Sequence, residues 1–433
     1  MKNKIIKSSI AVAIIAGALF PAGCKKDYVD PTRATDEQVF SSPKGLTGVT
    51  VGLQRVYTLG RASNLYNLIT INGLVTNELI VVNTGNTAEV QLATGGTAVD
   101  GNHAMLTTFW TNLNKVIYDA DKVITSAQGL ADKNYASGLI AYASIFKALS
   151  LGDLSEFWEK IPASIGTNVS FIDRVDGYKK AIATIDAALA AISANAISAS
   201  FISNVPAGID IINTLHALKA RYSLFAGLYA QAMSEATVVD LTKKSTFNFD
   251  ALSLNPVYEV ATATNNVVQP KDSTLGLPPS LAPSLTDGRV PFYTSINPAI
   301  APRFRIKGFF DAATTAIPVY LPGEMILIKA EAYARAGTAL DLANGTIELN
   351  KVVTKNNDIY GVNANQPPAV IATIPELLDQ IYRNRCIELF MSGLKLEDMR
   401  RFNRPTAERK RNLMPYPLRE RDNNPNTPAD PPF

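Results

Sequence analysis

Apolar side chains return at spacings of three and four through successive stretches of this chain, and the stretches come in neighbouring pairs. In "TTFWTNLNKVIYDADKVITSA" the stripe is Trp110, Leu113, Ile117, Ala120 and Ile124; "SGLIAYASIFKALSLGDL" repeats it with Leu139, Tyr142, Phe146 and Leu149. A loop with Pro162 and Gly166 follows, then the stripe resumes at Tyr178, Ile182, Ile185, Leu189 and Ile192. Ile211, Leu215, Leu218, Tyr222 and Phe225 continue it. Farther on, "GEMILIKAEAYARAG" and "ALDLANGTIELNKVVTKN" form another pair, and Pro375 stands at the first position of a last helix. Helices of this length with short joins fold back on each other, as tetratricopeptide hairpins do. The chain is therefore expected to be mainly α, a tetratricopeptide-like helical-hairpin scaffold. Its pairs fall at about 107–152, 174–235 and 323–356, and a C-terminal helix at 374–403.

Two regions break the pattern. Residues 243–322 hold so many prolines that no helical period survives, and they read as an irregular insertion. Residues 77–103, "NELIVVNTGNTAEVQLATGGTAVDGNH", are loop-rich. A long irregular stretch inside a compact helical protein is usually functional, so ligand contacts are expected there.

The start of the chain assigns a compartment. Lys2, Lys4 and Lys7 precede an apolar run from Ile10 to Phe20, followed by the small residues Ala22 and Gly23. This is the layout of a secretory signal peptide over 1–23, and its apolar run is shorter than the ~20 residues of a bilayer span. Cleavage before Cys24 would leave that residue as the new N-terminus, with 24–40 as a polar tether and 41–433 as one helical domain. The formal charge is +3 and the leader's lysines account for it, so the remaining chain is near neutral and offers no simple electrostatic case for nucleic acid. Only Cys386 accompanies Cys24, so the chain has no multi-bridge disulfide framework.

The site around Cys24 resembles a bacterial lipoprotein box, with Pro21 where a leucine is usual. Beyond it, the order of segments resembles the SusD/RagB family of surface lipoproteins over nearly the whole length. The matching pieces are "KKDYVDP", "VFSSPKGLTGVTVGLQRVY", "FWTNLNKVIYDADKVI", "IFKALSLGDLSEFWEKIP", "HALKARYSLFAG" and "KAEAYARAG". The most specific is "RNRCIELFMSGLKLEDMRRFN", followed by "PYPLRERDNNP"; Leu396 stands where the family usually has Trp or Phe. The resemblance implies a non-enzymatic protein, lipidated at Cys24 and held on the outer face of the outer membrane. It implies capture of oligosaccharides, or in some relatives peptides, for a SusC-like TonB-dependent transporter. In that scheme the hairpins pack on the transporter and the loops hold ligand. No cofactor or metal is implied.

Within that frame the loop aromatics Tyr258, Phe292, Tyr293 and Tyr320 are candidates to stack on sugar, because turn-rich backbone is expected to hold rings out of the core. Trp158, at a helix end beside Pro162, joins them, although a structural place is the stronger expectation; Trp110, on a clean stripe, is expected in the core. Asn77, Glu78, Asn83, Asn86 and Asn102 offer donors and acceptors suited to vicinal hydroxyls, but Asn also favours turns regardless of function. His216 sits in an amphipathic helix and is expected to be structural; with His103 and Cys386 it shows no metal-ligand spacing. No nucleophile elbow, phosphate loop or metalloprotease helix is present. Asp153 and Glu156 lie three apart on one helix face and are expected in a cap or an ion pair rather than as a glycosidase pair. The basic run "MRRFNRPTAERKRN" is expected on a solvated surface or a transporter interface, with Arg400 and Arg401 paired to nearby acids. A surface hydrolase and a purely structural repeat protein are the rival readings.

Overall fold

Most of the long helices begin where the sequence supplies a cap. In the computed structural model, which describes residues 35–433, helix α1 (Pro43–Thr58) opens with Pro43 and with Ser42 accepting from the Gly45 amide. Ser63 caps α2 (Asn64–Val75), His103 caps α3 (Ala104–Gln128), and Asp132 caps α4 (Lys133–Phe157). Then come α5 (Arg174–Ala194), α6 (Ile211–Phe225) behind the Asp210 cap, and α7 (Tyr229–Val238). Helix α8 (Pro322–Ala336) starts on its proline and stops at Gly337, whose φ of 81° only glycine adopts freely. A capping box of Thr338 and Asp341 starts α9 (Ala339–Val353), and Thr373 caps α10 (Ile374–Glu388). Cys24 lies outside the described residues, as do the leader and most of the tether.

From Phe40 to Phe433 the chain is one unit. Helix α3 packs on α4, α4 on α5, α5 on α6, α6 on α7, α7 on α8, and α8 on both α9 and α10. Each helix thus buries its stripe against the next in line, which is the hairpin-stack architecture read from the periodicity. Between α7 and α8 no long helix forms; short strands replace it. Strand β4 (Thr246–Phe247) pairs antiparallel with β8 (Ile317–Pro318), and β6 (Thr294–Ile296) with β7 (Phe304–Ile306). Strand β5 (Val268–Pro270) pairs with β1 (Leu79–Val81), and β2 (Lys160–Pro162) with β3 (Phe171–Asp173).

The C-terminal helix expected over 374–403 is broken. It ends at Glu388, turns through Met391 (φ 58°) and Gly393 (φ 81°), and resumes as α11 (Lys395–Arg401). A Cβ on Gly393 would meet Leu68 Cγ at 2.5 Å, so only glycine lets the turn lie against α2. Asn72 of α2 clamps it from below: Nδ2 donates to Gly393 O at 2.7 Å and Oδ1 accepts from Leu396 N at 3.3 Å.

The break sets two arginine-rich helical turns facing each other across buried carboxylates. Arg385 donates to Asp398 at 2.9 Å; Arg401 donates to Asp398 at 2.9 Å and to Glu331 of α8 at 2.8 Å. Glu397 accepts from Arg400 at 2.8 Å and also from Arg174 of α5. Glu388 receives Lys355 and Arg289, and Arg289 is also held by Asp287 at 2.8 Å. Arg400 and Arg401 do pair with acids as expected, but their setting is corrected: both are largely buried, within an ion-pair network rather than on a solvated surface. Burial alone would raise the Glu331 carboxyl, and Arg401 outweighs it, holding the group below the ordinary glutamate range.

Removing one partner of such a pair strands a charge in low dielectric, which costs about 3–5 kcal/mol. Arg401→Met should lower the urea-unfolding free energy by that amount, followed by tryptophan fluorescence. Adding Glu331→Gln should restore part of the loss. A single variant as stable as the parent would show that the network does not anchor the fold.

Candidate functional site

The two loop-rich stretches, almost two hundred residues apart in sequence, are joined by β1 and β5, with Leu79 opposite Pro270 and Val81 opposite Val268. Just beyond this ladder, Asn83 Nδ2 donates to Asn266 Oδ1 at 2.9 Å and Asn86 Nδ2 to Asn266 O at 3.0 Å. Arg61, from the α1–α2 turn, reaches Asn86 Oδ1 at 3.2 Å and pairs with the buried Glu89. Asn83, Thr84, Thr264, Asn265 and Asn266 are exposed, so three chain segments build one amide-rich rim. Amide and hydroxyl groups at such a rim can both donate and accept, which matches a ligand dense in hydroxyls.

Behind the rim, Gln269 ties the elements together. Its Nε2 donates to Ala261 O at 3.3 Å and Asn265 Oδ1 at 3.2 Å, while its Oε1 accepts from Ile306 N at 2.9 Å. The turn Tyr258–Thr262 leads into the rim, and half-buried Tyr258 opens it. Next to the β6–β7 hairpin, Phe292, Phe309 and Tyr360 form a half-buried ring cluster, with Phe292 and Phe309 edge to face at 5.2 Å and Phe309 and Tyr360 at 6.0 Å.

The other residues singled out from sequence lie elsewhere. Tyr293 is buried and donates its hydroxyl to Glu388 O; Tyr320 is 2% exposed, and Trp158 is fully buried with Nε1 donating to Pro415 O at 3.0 Å. For Tyr293 and Tyr320 the expectation that turn-rich backbone keeps rings out of the core is corrected: the short strand pairs fold the insertion back onto the helices and cover them; Trp158 has the structural place that was the stronger expectation. Trp110 is in the core as expected, its Nε1 on Glu420 at 3.1 Å. Asn77, in the left-handed region at φ 63°, donates to Glu408 O at 2.8 Å. Glu78 is buried, its carboxyl pushed up to about 7 by desolvation against the pull of Lys395. Neither of these two joins the rim. Asn102 is exposed in a turn held by Asp100, beside His103, whose ring meets Ala88 O at 2.9 Å. Asn266, Arg61, Phe309 and Tyr360 were not anticipated; the amide pair in "TATNNVV" was the one local sign, and it reads equally as a turn.

Two concavities accompany the rim. An interior cavity of about 70 Å³ is lined by Tyr57, Asp153, Tyr222, Phe310, Tyr320 and Met391. That is far below the ~300–1,000 Å³ of ligand pockets. A groove of about 410 Å³ runs along α3 past Tyr118, Asp121, Ser126, Ile165 and Lys180, on the helical side. Among the described residues no cluster of His, Cys, Asp and Glu could hold a metal, and no helix is long and apolar enough to cross a membrane.

Among the described residues Asp153 and Glu156 have no ion-pair partner and cap no helix, contrary to expectation. Asp153 accepts from Tyr57 at 2.8 Å and Glu156 from Asn72 at 2.7 Å, both buried in the core. Burial raises Asp153 to about 7, with Tyr57 and Arg221 pulling the other way, and raises Glu156 as well. An unfolded aspartate titrates at ~3.9. Between those values the folded protein keeps a proton that the unfolded chain has released, so this site's contribution to stability is present at low pH and lost as pH climbs to 7. Asp153→Asn should match the parent at pH 4 and exceed it at pH 7.5 by a few kcal/mol, since each tenfold change in proton affinity is worth ~1.4 kcal/mol. Chemical denaturation across that range checks this; parallel pH profiles would refute it.

No family model matches the sequence, and no curated protein matches it. Among solved structures, the chain is similar to a SusD homolog from Bacteroides thetaiotaomicron, with a TM-score of 0.72 and 12% identity over 92% of this chain and 99% of that one. It is similar to a SusD-like carbohydrate binding protein from Bacteroides fragilis, with a TM-score of 0.68 and 16% identity over 90% and 100%. A SusD/RagB family protein from Bacteroides thetaiotaomicron gives 0.63 and 14% over 89% and 95%. The chain has the SusD fold from end to end of these structures.

Proposed function

We propose that this chain is a SusD/RagB-type surface lipoprotein, which captures an oligosaccharide and hands it to a TonB-dependent outer-membrane transporter of the SusC type. The observation that carries the reading is the full-length match of fold to structures that include a carbohydrate binding protein. The amide-rich rim supports it further, because it is open, polar and built by loops on a rigid helical base. In this reading Asn83, Asn86 and Asn266 meet the ligand, and Tyr258 and Phe292 supply ring faces beside them. The hairpin helices dock on the transporter. Cys24, lipidated, holds the protein on the outer face of the outer membrane; three acyl chains exceed what stable anchoring requires. The reading is non-catalytic: Asp153 and Glu156, the carboxylate pair offered by the sequence, are buried and hydrogen-bonded within the helical core.

Calorimetric titration of the chain from Lys25 onward against neutral and charged oligosaccharides and mixed peptides tests the capture role. Saturable binding to one glycan class is expected, with the glycan recovered intact. Asn83→Ala combined with Asn266→Ala should weaken it at least tenfold, about 1.4 kcal/mol. Binding to peptides alone would move the protein to peptide uptake, and turnover of the glycan would make it a hydrolase. In cells, Cys24→Ser should move the protein from the membrane fraction to the soluble fraction; unchanged membrane association would remove the lipid anchor from the reading.

A further inference from the structure

The segment "RFRIK" forms β7 and its flanks. The ladder with β6 runs from Asn297 N bonded to Arg303 O through to Lys307 N bonded to Tyr293 O, so side chains alternate across it. Arg303, Arg305 and Lys307 therefore share one face of the strand, and Ile306 packs into the core from the other. Arg303 and Lys307 are exposed, while Arg305 is 8% exposed.

Arg305 stands apart from three buried arginines of this chain that hold carboxylates. Arg221 is bidentate to Glu324, Arg289 to Asp287, and Arg401 bridges Glu331 and Asp398. Arg305 has no carboxylate partner among the described residues; its Nε and Nη1 make no hydrogen bond, and Nη2 has only a 3.5 Å approach to Ala301 O. A buried, uncompensated guanidinium costs several kcal/mol and invites an anion. The chain compensates Arg221, Arg289 and Arg401 with carboxylates of its own, and buried Arg411 with the carbonyls of Leu413, Gly96 and Val99; Arg305 has neither kind of partner at good distance, which points to one from outside.

Its location says which partner. Ile306, the next residue, is held by Gln269, and Gln269 is bonded to Asn265 of the amide rim. Thr262, whose hydroxyl is also buried without a partner, adjoins Ala261 on the same glutamine. Through Gln269 the strand that carries Arg305 is thus joined to the rim, and Ala301 O at 3.5 Å is the acceptor within reach of the guanidinium among the described residues. We infer that the captured cargo is an anionic oligosaccharide, whose carboxylate or sulfate pairs with Arg305 while its hydroxyls meet the amide rim. Arg303 and Lys307 supply the outer field that draws it in. This rests on the capture reading above and names its substrate class.

The test uses the mature chain, equilibrated with a mixed pool of uronate-containing, sulfated and neutral oligosaccharides plus acidic peptides, with retained species identified by native mass spectrometry. Titration of each retained glycan follows, against its carboxyl-reduced or desulfated counterpart. Anionic glycans should be retained in preference to neutral ones, and neutralising the glycan should weaken binding at least tenfold. The two chemical arms decide between carboxylate and sulfate. Arg305→Gln should lose the anionic glycan at least tenfold and so erase most of the difference in affinity between it and its neutral counterpart. Arg305→Lys should fall between, because a point charge lacks the planar fork. Since Arg305 is buried, Arg303→Ala and Lys307→Ala serve as surface variants that need not disturb folding. They should weaken the anionic glycan a few-fold and reduce its salt dependence. Preference for neutral glycans, retention of acidic peptides alone, or Arg305→Gln binding as tightly as the parent would overturn the inference while leaving capture itself standing or redirected. Retention of nothing would overturn the capture reading, and this one with it.

Discussion

Everything in the fold converges on the buried ion pairs around the broken C-terminal helix. Asp398 and Glu397 of α11 bind arginines from α10, α5 and α11 itself, and Arg401 carries the network on to Glu331 of α8. Glu388, at the end of α10, receives Arg289 from the insertion and Lys355 from the turn after α9. One short segment thus fixes the position of a middle helix pair, a late pair and the loop insertion together. Hydrophobic burial holds the stack but is indifferent to small slides; charged pairs are not, because a slide of a few ångströms leaves a carboxylate alone in low dielectric. Their role is to specify the arrangement more than to add net stability.

This also explains why the most distinctive stretch of the sequence was "RNRCIELFMSGLKLEDMRRFN". Its last residues, Arg400 and Arg401 among them, open the basic run "MRRFNRPTAERKRN", which reads as a surface because charge in a helix normally faces water. The burial of the stretch's charges depends on partners far away in the chain, Arg174, Arg289 and Glu331, which no local pattern links to them. The break at Met391 and Gly393 was equally hidden, because the apolar period continues across it and the glycine is required by Leu68 on another helix.

Elsewhere legibility followed burial geometry. Helices with one wet face, such as α3, announce themselves by their stripe. Helix α2 is buried along its whole length, so "NLYNLITINGLV" has no polar face to set a period, and the periodicity gives no sign of it. The insertion was legible as non-helical from its prolines, but not its rings: Tyr320 lies beside the two-residue β4–β8 pair and Tyr293 beside β6–β7, both folded inward, and strands that short leave no alternation to read. The amide rim required a pairing between residues nearly two hundred positions apart, of which only the local turn chemistry is visible in sequence.

A division of labour follows from these placements. Where the scaffold buries charge around its C-terminal helices, it supplies the partners from its own chain, carboxylates for Arg385 and Arg401 and the carbonyls of Leu275 and Gly276 for Lys395, and the result is a rigid base whose helices are each held by more than one neighbour. The loop face is built to the opposite rule. Its amides are exposed or half-buried and bonded to one another across two segments, with Arg61 reaching in from a third, so each can exchange a protein partner for a ligand at little cost. Arg305 lies at the boundary, buried like a scaffold residue but left unpaired like a site residue. A rigid base makes that combination tolerable: the strand that carries Arg305 is held by Gln269 at Ile306 and by its pairing with β6. An unsatisfied cation held that firmly is preorganised for whatever anion reaches it, because its desolvation cost was met in folding rather than at binding.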